Sequence, residues 1–180
     1  MSSIVRLETA HTADLGPVQL RLARELLDDV FTGEMTDEDW DHCLGGIHCL
    51  VWEGEALIGH AAVVQRQLIH DERTLRCGYV EGVVMRADRR RSGHGSTMME
   101  QLERAIRNAY DLGALGATDD EAALYTRRGW QKWLGPTSTL TPTGTVRTPN
   151  EDGFIYVLPG SAPLDVNRSL ICDWRNGEVW

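Results

Sequence analysis

Residues 86–95 read R-A-D-R-R-R-S-G-H-G, an order of types that suits holding a phosphate. They stand between a long apolar stretch and a segment with helical periodicity, so the run falls at a helix N-terminus. There the first backbone N–H groups have no internal partners and carry partial positive charge. Gly93 and Gly95 remove side chains and allow close backbone approach and positive φ. Arg89, Arg90 and Arg91 add charge, so a pyrophosphate can be held by amides and guanidinium groups together. Met98 occupies the third glycine position of G-x-G-x-x-G, so the dinucleotide-binding fingerprint fails. On composition alone, a solvated basic turn before a helix explains the run equally well.

The elements that must position this loop follow from periodicity. Residues 4–7 suit a first strand, and Thr12 or Asp14 can cap a helix whose apolar stripe uses Val18, Leu22, Leu26 and Val30. Thr36 with Asp39 three residues on predicts a second short helix that stops at Gly45-Gly46. From residue 47 the period becomes strand-like, over 47–53, 56–68 and 75–85, joined tightly as an antiparallel meander. A helix over 96–110 is expected to bury Met98, Leu102, Ala105 and Ala109. A short strand over 112–117 and a helix over 121–128 closed by Gly129 come next. Residues 135–153, rich in Thr, Pro and Gly, are expected to form a long connection on the sheet's edge before a strand over 154–158. The expected fold class is α+β, one domain over 1–180, with a central mixed, mostly antiparallel sheet and helices on both faces.

Composition narrows the function. With 180 residues, a formal net charge of -9 and a pI near 5.1, the chain disfavours a general nucleic-acid binder and suits a cationic ligand. No apolar run reaches the roughly 18 residues of a membrane span, and residues 1–16 lack the apolar core of a signal peptide. Cys43, Cys49, Cys77 and Cys172 form no C-x-x-C pair and read as reduced, buried thiols of a cytoplasmic protein. H-E-x-x-H, G-x-S-x-G and G-x-x-x-x-G-K are absent, which argues against zinc proteases, α/β-hydrolases and P-loop NTPases. The histidines suggest no metal set: structural roles are expected for His42, His48 and His60, and a phosphate contact for His94.

The spacing Arg90-x-x-Gly93-x-Gly95 after a strand resembles the acyl-CoA pyrophosphate loop of the GNAT N-acetyltransferases. The order of elements and Tyr125 in A-L-Y-T-R-R-G-W fit that superfamily. L-G-G-I-H-C-L-V-W (44–52), C-G-Y-V-E-G-V-V (77–84), L-Y-T-R-R-G-W (124–130), G-P-T-S (135–138) and the terminal C-D-W-R-N-G-E-V-W extend the resemblance over most of the chain, to the aminoglycoside 2′-N-acetyltransferases. It implies acetyl transfer from acetyl-CoA to the 2′-amine of an aminoglycoside, antibiotic inactivation, and a cytoplasmic homodimer that needs no metal.

The resemblance also implies roles. Val83, Val84 and Met85 would hold the pantetheine arm, and Arg90, Arg91, Ser92, Gly93, His94, Gly95 and Ser96 the pyrophosphate. Glu81 is expected to be the general base acting through water, since a carboxylate near pKa 4.3 is weak for direct abstraction from an ammonium. The Val83 N–H would stabilise the oxyanion, and Tyr125 is the candidate acid for the thiolate. At about 10 its unperturbed pKa lies near the thiol's roughly 8.5, a near-balanced transfer. Glu34, Asp39, Glu81, Gly82, Gly116, Glu151, Asp152, Glu178 and Trp180 with its terminal carboxylate fall at substrate-binding positions. Glu34, Glu151 and Glu178 stand where the family pattern has aspartates, and Gly116 where it has a serine. Three other readings remain: a GNAT enzyme acting on another amine or hydroxyl, such as a polyamine or cell-wall aminosugar; a CoA-responsive regulatory module; and a nucleic-acid binder built on the basic loop.

Overall fold

The first long helix begins later than its sequence suggests, and Pro17 is the reason. In the computed structural model, which describes residues 4–180, Thr12–Asp14 form one 3-10 turn and helix α1 spans Pro17–Val30. Proline lacks an N–H and its fixed φ suits the first helical position, where a donor would be orphaned anyway. The Gln19 side chain accepts the Gly16 N–H at 2.9 Å, so neither Thr12 nor Asp14 caps α1. The buried face is Ala23, Leu26 and Leu27, whereas Val18 of the expected stripe is exposed. Helix α2 (Asp37–Cys43) has the predicted cap: Asp39 N–H donates to Thr36 Oγ1 at 3.1 Å and Thr36 N–H to Asp39 Oδ2 at 2.9 Å.

The chain divides into two compact units. The first comprises the residues up to Val64 together with Val80–Arg104. In it β1 (Val5–His11) pairs antiparallel with β2 (Ile47–Glu53), and β2 with the first part of β3 (Ala56–His70). The end of β4 (Arg73–Met85) lies beside β3, with Arg86 N–H donating to the Ile58 carbonyl at 2.8 Å. Leu15, Ala23, Leu26, Leu27, Cys43, Leu50, Trp52, Leu57, Ala62 and Val84 form the unit's apolar core. Helix α3 (His94–Ala109) starts in this unit, two residues earlier than expected, and buries Met98, Met99, Leu102 and Ile106. Ala109, assigned to the buried stripe from sequence, is exposed.

The second unit comprises Gln65–Tyr79 and Ala105–Trp180. The start of β4 pairs parallel with β5 (Leu112–Gly116), which pairs antiparallel with β9 (Ile155–Pro159), itself bordered by β6 (Gln131–Lys132). On the other side, the end of β3 pairs with β10 (Leu170–Cys172), which runs parallel to β7 (Thr137–Thr141), followed by β8 (Gly144–Arg147). The expected connection over 135–153 therefore contains the β7–β8 hairpin, with β8 at the edge. Helix α4 (Asp119–Arg127) begins two residues before its predicted start, because Glu121 accepts the Thr118 N–H at 3.1 Å and closes a cap there. The elements form an α+β protein with a mixed sheet; β3 and β4 each contribute to both units. No described helix is long and apolar enough to cross a membrane.

Candidate active site

In the first unit, Glu34, Asp39, Glu81 and Gly82 line one cleft of about 300 Å³ with Phe31 and Met35. These four are substrate positions predicted from sequence, brought together from the segment after α1, from α2 and from β4. Asp39 is held by its cap: Oδ2 accepts the Thr36 N–H, which fixes the side chain. Gly82 has φ +58 inside a strand, a left-handed conformation that favours glycine. It breaks the strand's regular alternation between Glu81 and Val83.

Behind Gly82 lies a hydrogen-bonded chain that sequence reasoning reduced to isolated structural histidines. His60 Nδ1 is 2.7 Å from the Gly82 carbonyl, His48 Nδ1 is 2.9 Å from His60 Nε2, and Thr12 Oγ1 is 2.7 Å from His48 Nε2. Both rings have no exposed surface. Burial pushes each imidazole down to about 4, with the neighbouring ring adding to the effect on His48, so both are neutral at pH 7. His48 and His60 stand on adjacent strands whose residues are buried on both faces, so alternation does not single them out.

The basic loop divides its arginines. Arg89 donates to Glu53 at 3.0 and 2.8 Å and to Asp88 at 2.9 Å, and Arg86 donates to Asp88 at 2.7 Å. Arg89 is therefore spent on the fold, a correction to its expected phosphate role. Arg90 and Arg91 are exposed and have no acidic partner among the described residues; Arg90 Nε donates to the Met85 carbonyl at 3.2 Å. Gly93 (φ +86) precedes the first residue of α3, and an added Cβ there would meet nothing within 4 Å. The loop's Arg90, Arg91, Ser92, Gly93, His94, Gly95 and Ser96 thus surround a helix N-terminus, the arrangement a pyrophosphate needs. Gly93→Val is expected to weaken CoA binding at least about tenfold by forcing the loop out of its left-handed turn. Calorimetry with CoA checks this; unchanged affinity would move the pyrophosphate elsewhere.

Within the second unit, Tyr125 is 4% exposed, with its ring 6.0 Å from that of Trp130 and 6.5 Å from that of Tyr156. Burial raises its pKa well above the usual 10, and the Glu121 charge adds to this. The phenol is firmly protonated, and giving its proton to a thiolate is uphill rather than near-balanced. Glu151 is also raised, by burial first and then by the charge of Glu178. Asp152 differs: Arg147 at 2.7 Å, together with the Thr137 N–H and hydroxyl at 2.9 Å, holds it well below the usual carboxylate range. Its charge is already matched within the fold. Trp180 Nε1 donates to Thr148 Oγ1 at 2.9 Å, which fixes the ring. Gly116 is exposed, and an added Cβ would meet only the Tyr79 hydroxyl at 4.0 Å.

Arg66 was missed. At 4% exposure it donates to the Asp173 carboxylate at 2.8 Å, the Asp173 carbonyl at 2.9 Å and the Val179 carbonyl at 2.7 Å. It ties down the segment that carries Glu178 and Trp180. Strand alternation contains the clue, because Gln65 and Gln67 face out and Arg66 must face in.

An acetyltransferase (GNAT) domain family matches residues 15–133. A protein of Mycolicibacterium fortuitum named aminoglycoside 2′-N-acetyltransferase is 45% identical over 174 residues, 94% of this chain and 89% of that protein. Among solved structures, Escherichia coli ElaA aligns with a TM-score of 0.59 at 17% identity, covering 86% of this chain and 99% of that one. A GCN5-related N-acetyltransferase from Kribbella flavida aligns with a TM-score of 0.60 at 21% identity over 75% of this chain, which spans 34% of the Kribbella chain. Those two likenesses speak for the fold. The family match and the Mycolicibacterium relative establish that the chain belongs to the GNAT acetyltransferases and, within them, to the aminoglycoside 2′-N-acetyltransferase family.

Proposed function

We propose that the protein transfers the acetyl group of acetyl-CoA to the 2′-amine of an aminoglycoside, and that its two units make up one catalytic domain through which β3 and β4 run. The observation that carries the reading is the cleft that Glu34, Asp39 and Glu81 share beside Gly82. An aminosugar is mostly protonated at neutral pH, so it needs anionic groups to hold it and a base to free its lone pair. Three carboxylates in one cleft attract a polycation. Glu81, on the strand that leads into the phosphate loop, takes the ammonium proton through a water.

The freed amine attacks the thioester carbon. Negative charge then develops on the thioester oxygen, where the Val83 N–H donates to it. The pantetheine arm lies along the amides of Val83, Val84 and Met85, and the pyrophosphate meets Arg90, Arg91 and the start of α3. Tyr125, held protonated by burial, is the acid available to the departing thiolate. Glu151 with Glu178 supplies further anionic contacts to the antibiotic, and Trp180 a ring. We place the enzyme in the cytoplasm, where acetyl-CoA is made, as a homodimer that inactivates antibiotics.

Release of CoA thiol tests the reaction and its position together. Aminoglycosides with a 2′-amine (gentamicin, tobramycin, kanamycin B) are expected to be turned over, and those with a 2′-hydroxyl (kanamycin A, amikacin) largely spared. Equal turnover of both sets would move the acetylated amine; no turnover with either would leave an acetyltransferase of another acceptor.

A further inference from the structure

We infer that His60, backed by His48, is a positioning residue: it fixes and polarises the Gly82–Val83 peptide so that the Val83 N–H is a better aimed and stronger donor than an ordinary strand amide. This rests on the reading above, in which that N–H meets the thioester oxygen.

The direction of every hydrogen bond in the chain follows from one end. A carbonyl only accepts, so the short bond to Gly82 O places a hydrogen on His60 Nδ1. A neutral His60 then has Nε2 as acceptor, so His48 Nδ1 carries the hydrogen between the rings. His48 Nε2 is left as acceptor, and the Thr12 hydroxyl donates to it while accepting the Gly45 N–H at 2.9 Å. All four ring nitrogens are satisfied with both rings neutral, and no proton is surplus. Aligned bonds of this kind strengthen one another in a low-dielectric interior. A carbonyl that accepts such a bond withdraws density from the amide nitrogen in its own peptide plane, which here belongs to Val83. The left-handed φ of Gly82 makes the support necessary, because it takes the peptide off the strand's regular repeat. His60 has no exposed surface, so it acts through the peptide rather than on substrate.

The test compares His60→Asn with His60→Gln in the full chain. Asparagine presents an amide donor near the Nδ1 position and keeps the bond to Gly82; glutamine reaches toward the Nε2 side and loses it. Both are expected to lower the thermal midpoint similarly and leave acetyl-CoA affinity within about twofold. His60→Gln should lower kcat about tenfold at unchanged KM, and His60→Asn should stay within about threefold of wild type. The dethia ketone analogue of acetyl-CoA, ¹³C-labelled at its carbonyl, gives a readout that a purely structural role would not move. Its bound resonance should lie downfield of the value in water for wild type and His60→Asn, and shift back toward that value in His60→Gln. Variants alike in both kcat and resonance would overturn the inference. If neither variant folds, the wild-type complex decides: a downfield resonance supports the inference and the water value overturns it. A wild type that polarises the ketone but acetylates no aminoglycoside sinks the functional reading alone. A wild type that turns over with indistinguishable variants sinks this one alone.

Discussion

Glu81→Gln is expected to lower turnover about 10²- to 10⁴-fold while leaving acetyl-CoA affinity within about twofold. Glutamine keeps the size of the side chain and much of its hydrogen bonding but cannot take a proton from an ammonium. The loss should therefore depend on pH. At low pH the acceptor amine is almost wholly protonated and needs the base. As pH rises, the fraction already deprotonated grows and the variant regains ground on wild type. CoA release measured from pH 6 to 9, with binding followed by calorimetry, separates the two effects. Turnover equal to wild type at pH 7 would remove Glu81 as the base, and a deficit independent of pH would make it a substrate-holding group only.

Gly82→Ala should be the most damaging conservative change on the same strand. Its φ of +58 costs an L-residue roughly 1–2 kcal/mol. The new methyl would also lie 2.8 Å from Cys43 Sγ and 3.2 Å from His60 Cε1 in a packed interior. Overpacking of that kind costs roughly 1–3 kcal/mol. A total loss of about 2–5 kcal/mol is expected in urea unfolding, together with a fall in kcat from the displaced Val83 amide. Combining Gly82→Ala with Cys43→Ala relieves the contact but not the backbone strain, so only part of the loss should return. A loss below about 1 kcal/mol for the single variant would show that the strand relaxes at no real cost.

Periodicity read the architecture well wherever one face of an element is buried. The 47–53 strand, the strand that follows it and the Thr36 cap all stand close to where patterning puts them. It failed where a local rule competes with a pattern. Pro17 set the start of α1 against two good capping residues upstream, and Glu121 drew α4 back to Thr118. The β7–β8 hairpin was hidden because threonine- and glycine-rich segments carry little hydrophobic alternation. For the site, Glu34, Asp39, Glu81 and Gly82 were legible as a set only through resemblance, since a lone glutamate on a strand is usually a solvated residue. What sequence could not give is partnership. Arg89 and Asp152 look like Arg90 and Glu151 on paper, yet the first two are neutralised by Glu53 and Arg147. Nor does any pattern announce that Thr12, His48 and His60 end on one carbonyl.

The burial of all four cysteines has a bearing on how the enzyme can be watched. Only a thiolate attacks an aromatic disulfide reagent or an alkylating agent. Burial pushes Cys49 up to about 12 and raises Cys77 and Cys172 as well, so in the native protein these sulfurs are both shielded and protonated. Colour that develops with such a reagent during turnover then comes from the coenzyme product, with little background from the catalyst. The same reagent becomes a reporter of opening once denaturant is added. Four equivalents appear as the chain unfolds, and their rate of appearance measures how often the interior lets solvent in.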